Sequence, residues 1–187
     1  MKTDVKVRTS KSEIYWKTLS AVLKLEVEKG HLQWKLTDLA RISGVQRTLI
    51  YYYFGSNRES LVEEALELVA RDLFGIPRGI MNTDLLTSIT EAREMIEKAP
   101  QILQFYLRWR STSSPMGDRL RAYEKAYKKR LEMTFPHLKT EERDSIFALF
   151  FGLVSLPDIS KKAIRAATRS LVRVLPQNSM APASFLF

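Results

Sequence analysis

Apolar residues recur along the chain every three to four positions, the period of a helix with one buried face, and seldom alternate in the two-residue period of a half-buried strand. The spacing predicts a first helix after Ser10, whose hydroxyl caps it while Glu13 reaches back three residues later. It turns Ile14, Leu19, Val22, Leu23 and Val27 to one side and stops at Gly30. Short helices at Leu36–Ile42 and Gln46–Tyr53 flank Ser43-Gly44-Val45, and Glu59–Phe74 carries Leu61, Val62, Ala65, Leu66, Val69 and Leu73 on one stripe. Gly75-Ile76-Pro77-Arg78-Gly79 interrupts the pattern. Beyond it the period predicts helices at Asp84–Lys98, Pro100–Arg110, Pro115–Thr134, Glu141–Leu156 and Ile159–Leu175, with Ser114 placed as an N-cap before Pro115.

The fold class read from this pattern is all-α. Residues 1–58 form a small N-terminal domain and residues 59–175 a larger helical domain, joined through a linking helix at 59–74. Residues 176–187 lack periodicity and read as a flexible tail, despite ending in Phe185-Leu186-Phe187.

Charge changes the picture. The chain carries 30 Lys and Arg against 21 Asp and Glu, a net charge of +9, the sign expected of a partner of nucleic acid or an anionic membrane. Of this excess, +6 falls between Met1 and Arg58. With no cysteine, the sequence excludes disulfides, thiolate catalysis and cysteine-based metal sites. A polar N-terminus without a signal-peptide core, and a longest apolar run (Ile146–Leu156) far short of the roughly 20 residues that span a bilayer, read as a cytoplasmic protein with no membrane partner.

The most informative stretch is Leu36–Phe54. Ala40 is small where two helices would cross, Gly44 four residues on suits the left-handed residue of a tight turn, and Ile50 fills the core from the second helix. The outward positions then carry Gln46, Arg47, Thr48, Tyr51 and Tyr52. Arg matches guanine edges and Gln adenine, while hydroxyls and cations hold phosphates. The same spacing also suits an ordinary helical hairpin with a solvated face; the basic flanks favour double-stranded DNA as the partner.

Glu28-Lys29-Gly30, Leu36 to Ala40, Gly44-Val45 and above all Ile50-Tyr51-Tyr52-Tyr53-Phe54-Gly55-Ser56 resemble, in order and spacing, the DNA-binding domain of the TetR family of bacterial transcriptional regulators. The likeness covers about Ser10 to Leu68. It implies a three-helix, helix-turn-helix domain followed by a helical ligand-binding and dimerisation domain, in a homodimer acting on a near-palindromic operator. Carried over by position, Thr37 resembles the phosphate-contacting hydroxyl, Gln46, Arg47 and Thr48 the base-facing residues, and Tyr51 and Tyr52 the aromatics that touch the DNA backbone. Tyr53 stands where His or Tyr is common and supports the helix end as much as it touches DNA. Four positions depart from the pattern. Asn57 replaces a phosphate-contacting Lys, with Arg58 next to it as the substitute contact; Glu26 replaces a core aromatic, Lys35 a capping hydroxyl, and Leu49 a small or hydroxyl residue.

In the C-terminal region, Ile146 to Val154 is apolar around its whole circumference and needs cover on a second side. Phe147 and Phe151, with Ala163, Ala167 and Leu171 on the last helix, are the dimer-interface candidates, the alternative being a buried core helix. Met95, Phe105, Trp109, Tyr123 and Tyr127 are candidates for a pocket taking a small apolar or aromatic ligand. Aromatics at helical spacing are more often a plain core stripe than a pocket. No cofactor, metal site or catalytic residue is expected: His31 and His137 are isolated at loops, and no metalloprotease, nucleophile-elbow or phosphate-loop pattern occurs. The expected function is a ligand-responsive repressor, the rival being a constitutive or architectural DNA-binding dimer; an enzyme is not expected.

Overall fold

The structure, a computed structural model, describes residues 10–76, 85–156 and 158–174, with side chains to residue 170. Among these residues there are nine α-helices and no strand: α1 (Lys11–Lys29), α2 (Leu36–Ser43), α3 (Arg47–Phe54), α4 (Arg58–Asp72), α5 (Leu85–Lys98), α6 (Gln101–Trp109), α7 (Pro115–Thr134), α8 (Thr140–Ser155) and α9 (Lys161–Val174). Most of the junction at 75–79 and the whole tail at 176–187 lie outside the described residues.

The chain divides into two compact units, Met1–Leu68 and Val69–Phe187. The division falls within α4 rather than at its start, because Leu61, Val62, Ala65, Leu66 and Leu68 are all buried and bind that part of α4 into the first unit.

In the first unit α2 packs against α1 and α3. The core is Ile14, Leu19, Val22, Leu23 and Leu25 from α1, with Trp34, Leu39, Val45, Ile50 and Phe54. Ser10 caps α1 by accepting the Glu13 N–H at 3.2 Å, but Glu13 does not reach back; its carboxylate pairs with Lys17 one turn on, at 2.6 Å. Gly44 ends α2 at φ +66°, the left-handed conformation that the tight turn requires, and its N–H donates to the Ala40 carbonyl at 3.1 Å.

The α1–α2 loop is held from both sides. Glu26 is fully buried and accepts from Trp34 Nε1 at 2.6 Å, from the Leu32 N–H at 3.0 Å and from His31 Nδ1 at 3.0 Å. The aromatic that position 26 lacks is supplied by Trp34, eight residues later, and the carboxylate takes its N–H. His31 is thus tied to a buried carboxylate, not simply solvated. The loop enters α2 through Asp38, which accepts from Lys29 Nζ at 2.8 Å and the Lys35 N–H at 3.0 Å. Those two bonds hold its carboxyl below the ordinary range. The bond from the Lys35 N–H is the return half of a capping box, while the Asp38 N–H that a hydroxyl at position 35 would take donates to the Lys35 carbonyl at 2.9 Å.

In the second unit α5 and α7 pack on α8, and α9 packs on α5 and α8. Ser114 caps α7 as expected, accepting the Gly117 N–H at 3.1 Å. Three guanidiniums fasten helix ends and loops. Arg93, nearly buried, donates to the Leu153 and Leu156 carbonyls at the C-terminal end of α8. Arg130 donates to the Phe74 and Gly75 carbonyls after α4, and Arg110 makes a two-pronged contact with Glu124, which also accepts from the Tyr106 hydroxyl at 2.6 Å. Burial pushes Glu124 up, but these bonds outweigh it and leave the carboxyl below its ordinary range.

Candidate nucleic-acid interface

α3 is short, and its buried side consists of Ile50 and Phe54. Turning those two inward leaves Arg47, Thr48, Tyr51 and Tyr52 outward, with Gln46 at the N-cap. All five are exposed, Tyr51 at 39% and Tyr52 at 79%, an unusual degree for an aromatic side chain. Arg47 Nη2 donates to the Tyr51 hydroxyl at 3.0 Å, and its guanidinium lies 5.7 Å from that ring's centre. This side chain is held over the surface, so less freedom remains to be lost on binding. The helix contains no Asp or Glu. Thr37, in the first turn of α2, is also exposed.

Tyr53 is half-buried and supports the helix: its ring lies 5.8 Å from Tyr15, and Tyr15 in turn lies 4.5 Å from Phe54. Lys11 stands over both tyrosines, at 5.6 and 6.0 Å from the ring centres.

Arg58 is exposed and also bonded within the chain. Its Nη1 donates to the Leu32 and Trp34 carbonyls at 2.8 and 2.7 Å, clamping the α1–α2 loop. Asn57 Oδ1 accepts the N–H groups of Glu59 and Ser60, as an N-cap of α4 does. Arg58→Ala is therefore expected to destabilise the first unit by about 1–2 kcal/mol, by leaving two loop carbonyls without their charged donor. Its thermal midpoint should fall; a variant that lost DNA affinity at unchanged stability would assign Arg58 to phosphate binding alone.

The pocket candidates are dispersed. Phe105 and Tyr127 are fully buried, whereas Met95, Trp109 and Tyr123 are half-buried. Phe105 meets Trp109 at 6.4 Å, and Tyr127 joins a separate cluster with Phe74, Phe147 and Phe150. A cavity of about 310 Å³ is lined by Arg93, Ile96, Glu97, Pro100, Val154 and Ser155.

The dimer candidates differ in exposure. Phe147 and Phe151 are half-buried and their rings turn into their own unit, Phe147 5.7 Å from Tyr127 and Phe151 5.0 Å from Tyr106. The exposed side of α8 is Glu141, Ser145, Ala148 and Gly152. On α9, Ala163 is exposed and Ala167 half-buried; the side chain of Leu171 lies outside the described residues. Among the described residues no helix is long and apolar enough to cross a membrane, and no group of three His, Asp or Glu could hold a metal ion.

No protein-family model and no curated protein sequence matches the chain. Solved structures do. A TetR-family transcriptional regulator of Thermus thermophilus, PfmR, superposes with a TM-score of 0.58 at 17% identity, over 92% of this chain and 100% of that one. A Clostridium perfringens protein described as a candidate fatty acid metabolism regulator gives 0.62 at 11% identity, over 88% and 100%. NalD of Pseudomonas aeruginosa, the secondary repressor of the MexAB-OprM multidrug efflux pump, gives 0.53 at 20% identity, over 91% and 100%. The chain has the all-helical fold of TetR-family regulators, a helix-turn-helix unit followed by a helical unit.

Proposed function

We propose that the protein is a sequence-specific, DNA-binding transcriptional regulator that acts as a homodimer on a near-palindromic operator, most simply as a ligand-responsive repressor in the cytoplasm. The observation that carries this reading is the outward face of α3. Five polar or aromatic side chains suited to base edges and phosphates stand exposed on a helix without acids, behind a turn closed by a left-handed glycine. The likeness to solved regulators supports it, and no catalysis forms part of it. Thr37 and Tyr52 are assigned to the DNA backbone, Gln46, Arg47 and Thr48 to base edges, and Tyr51 to the backbone and to steering Arg47.

Arg47→Ala tests the assignment. It is expected to cost about 1–3 kcal/mol at the specific site and to relax base preference at one position in each half-site. Titration of wild type and variant against the operator and against shuffled DNA measures both. Unchanged operator affinity in the variant would remove α3 from the reading role.

A second reading, a constitutive DNA-binding dimer without a small-molecule switch, is favoured by the full burial of Phe105 and Tyr127. Under the ligand-responsive reading, apolar or aromatic compounds release the operator. Under the constitutive reading they do not.

A further inference from the structure

The first turn of α1 brings a cation to the edge of the α3 surface. Lys11 is exposed, and its ammonium lies 5.6 Å from the centre of the Tyr15 ring and 6.0 Å from that of Tyr53. Tyr53 in turn meets Tyr52 edge-on at 4.9 Å. A single ring therefore separates the ammonium from Tyr52, which is 79% exposed on the outward face of α3.

The other three lysines of α1 are each paired with a carboxylate: Lys17 with Glu13 at 2.6 Å, Lys24 with Glu28 at 3.8 Å and Lys29 with Asp38 at 2.8 Å. Lys11 makes no ion pair or hydrogen bond with any described residue. Glu13, the acid of its own turn, is taken by Lys17, and α3 contains no Asp or Glu. The two rings restrain Lys11 without neutralising it, because an aromatic face attracts a cation through its quadrupole and carries no net charge. Helix formation gains nothing from a cation here, since the dipole favours anions in a first turn. The result is a full positive charge, held in place beside the reading helix and turned to solvent.

We propose, resting on the DNA-binding reading above, that Lys11 is a further DNA contact: its ammonium binds a backbone phosphate beside the half-site, while the rings of Tyr15 and Tyr53 hold it next to Tyr52. The partner is phosphate and not a base edge for two reasons. Lys11 belongs to α1, outside the helix assigned to the major groove, and an ammonium is a point charge without the paired donors that arginine offers to guanine. The contact adds affinity and not sequence preference, and a dimer makes it twice.

The test compares wild type, Lys11→Ala, Lys11→Arg and, as a control, Lys24→Ala, all as full chains whose folding is verified by thermal melts. The probes are the operator that wild type enriches from a random pool and a duplex of random sequence, titrated from about 0.05 to 0.3 M NaCl. Each phosphate contact contributes about 0.9 to the slope of log affinity against log salt, so a dimer lacking two should lose about 1.8. Lys11→Ala is expected to weaken binding to both duplexes about tenfold or more at 0.1 M NaCl and to enrich the same motif as wild type. Lys11→Arg keeps the wild-type slope, and Lys24→Ala keeps both slope and affinity. An unchanged slope in Lys11→Ala overturns the proposal even if affinity falls, because an effect passed through Tyr53 packing alone releases no counterion. A reduced slope with an altered motif makes Lys11 a base contact and overturns the phosphate assignment. A wild type that enriches no motif fails the sequence-specific reading above, while the slope on random duplex still decides the role of Lys11. No binding to either duplex overturns both.

Discussion

Glu26→Ala is expected to unfold much of the first unit and to abolish DNA binding, although Glu26 lies in the core and not on the exposed face of α3. Its carboxylate accepts from the buried Trp34 indole and the Leu32 N–H, and anchors His31. Removing it leaves two donors without an acceptor, one of them fully buried, at about 1–3 kcal/mol each, and opens a cavity beside Trp34. A total of about 3 kcal/mol or more is a large share of the stability of a small domain. The loop it organises leads straight into α2, so Thr37 and the turn at Gly44 lose their placement together with the core. Glu26→Gln keeps one acceptor oxygen in nearly the same shape and should fall between wild type and alanine. Urea unfolding followed by tryptophan fluorescence orders the three. Equal stability of the alanine variant and wild type would show that the network contributes nothing.

The second large effect is expected from a single methyl group. A Cβ added at Gly117, in the first turn of α7, would collide with the Thr112 carbonyl oxygen and lie 2.9 Å from that of Trp109. Both are backbone atoms, so relief requires moving the α6–α7 loop. That loop is fixed by the Thr112 hydroxyl, which donates to the Trp109 carbonyl at 2.7 Å, and by the Ser114 cap. Gly117→Ala should therefore cost about 3 kcal/mol, at the upper end of ordinary overpacking. Gly152→Ala provides the control. With nothing within 4 Å of the new Cβ, the same change in a helix interior should raise folding stability by about 0.5–1 kcal/mol. Thermal melts of the two variants test whether the signs are opposite.

Local patterns carried much of this structure. The helices stand within a few residues of where the apolar period places them, because period and caps are properties of adjacent residues. Gly44 was legible because it needs only its own turn, and Gln46, Arg47, Thr48, Tyr51 and Tyr52 because Ile50 and Phe54 fix which side of α3 faces out. What was not legible depends on partners distant in the chain. Nothing near Glu26 announces Trp34 as its donor, nor does anything near Arg93 or Arg130 announce carbonyls 60 and 55 residues away. Nor does anything beside Arg58 announce the two loop carbonyls that its Nη1 holds. The turning of Phe147 and Phe151 toward Tyr127 and Tyr106 could not be chosen from a helix apolar on every side. Gly117 gives no signal because its constraint is the path of a loop. Asn57 did carry one, since an Asn just before a helix is a preferred N-cap.

The central claim is that the exposed face of α3 reads DNA sequence as one half of a dimer. Its most direct test is retention of a randomised double-stranded DNA pool by the full chain at about 0.15 M salt, followed by sequencing of the retained fraction, because salt sets the balance between specific and random binding. The account predicts an enriched near-palindrome with half-sites about one helical turn apart, or a multiple of it, which disappears with Arg47→Ala. Retention without any enriched motif, or a motif unchanged by Arg47→Ala, would contradict it.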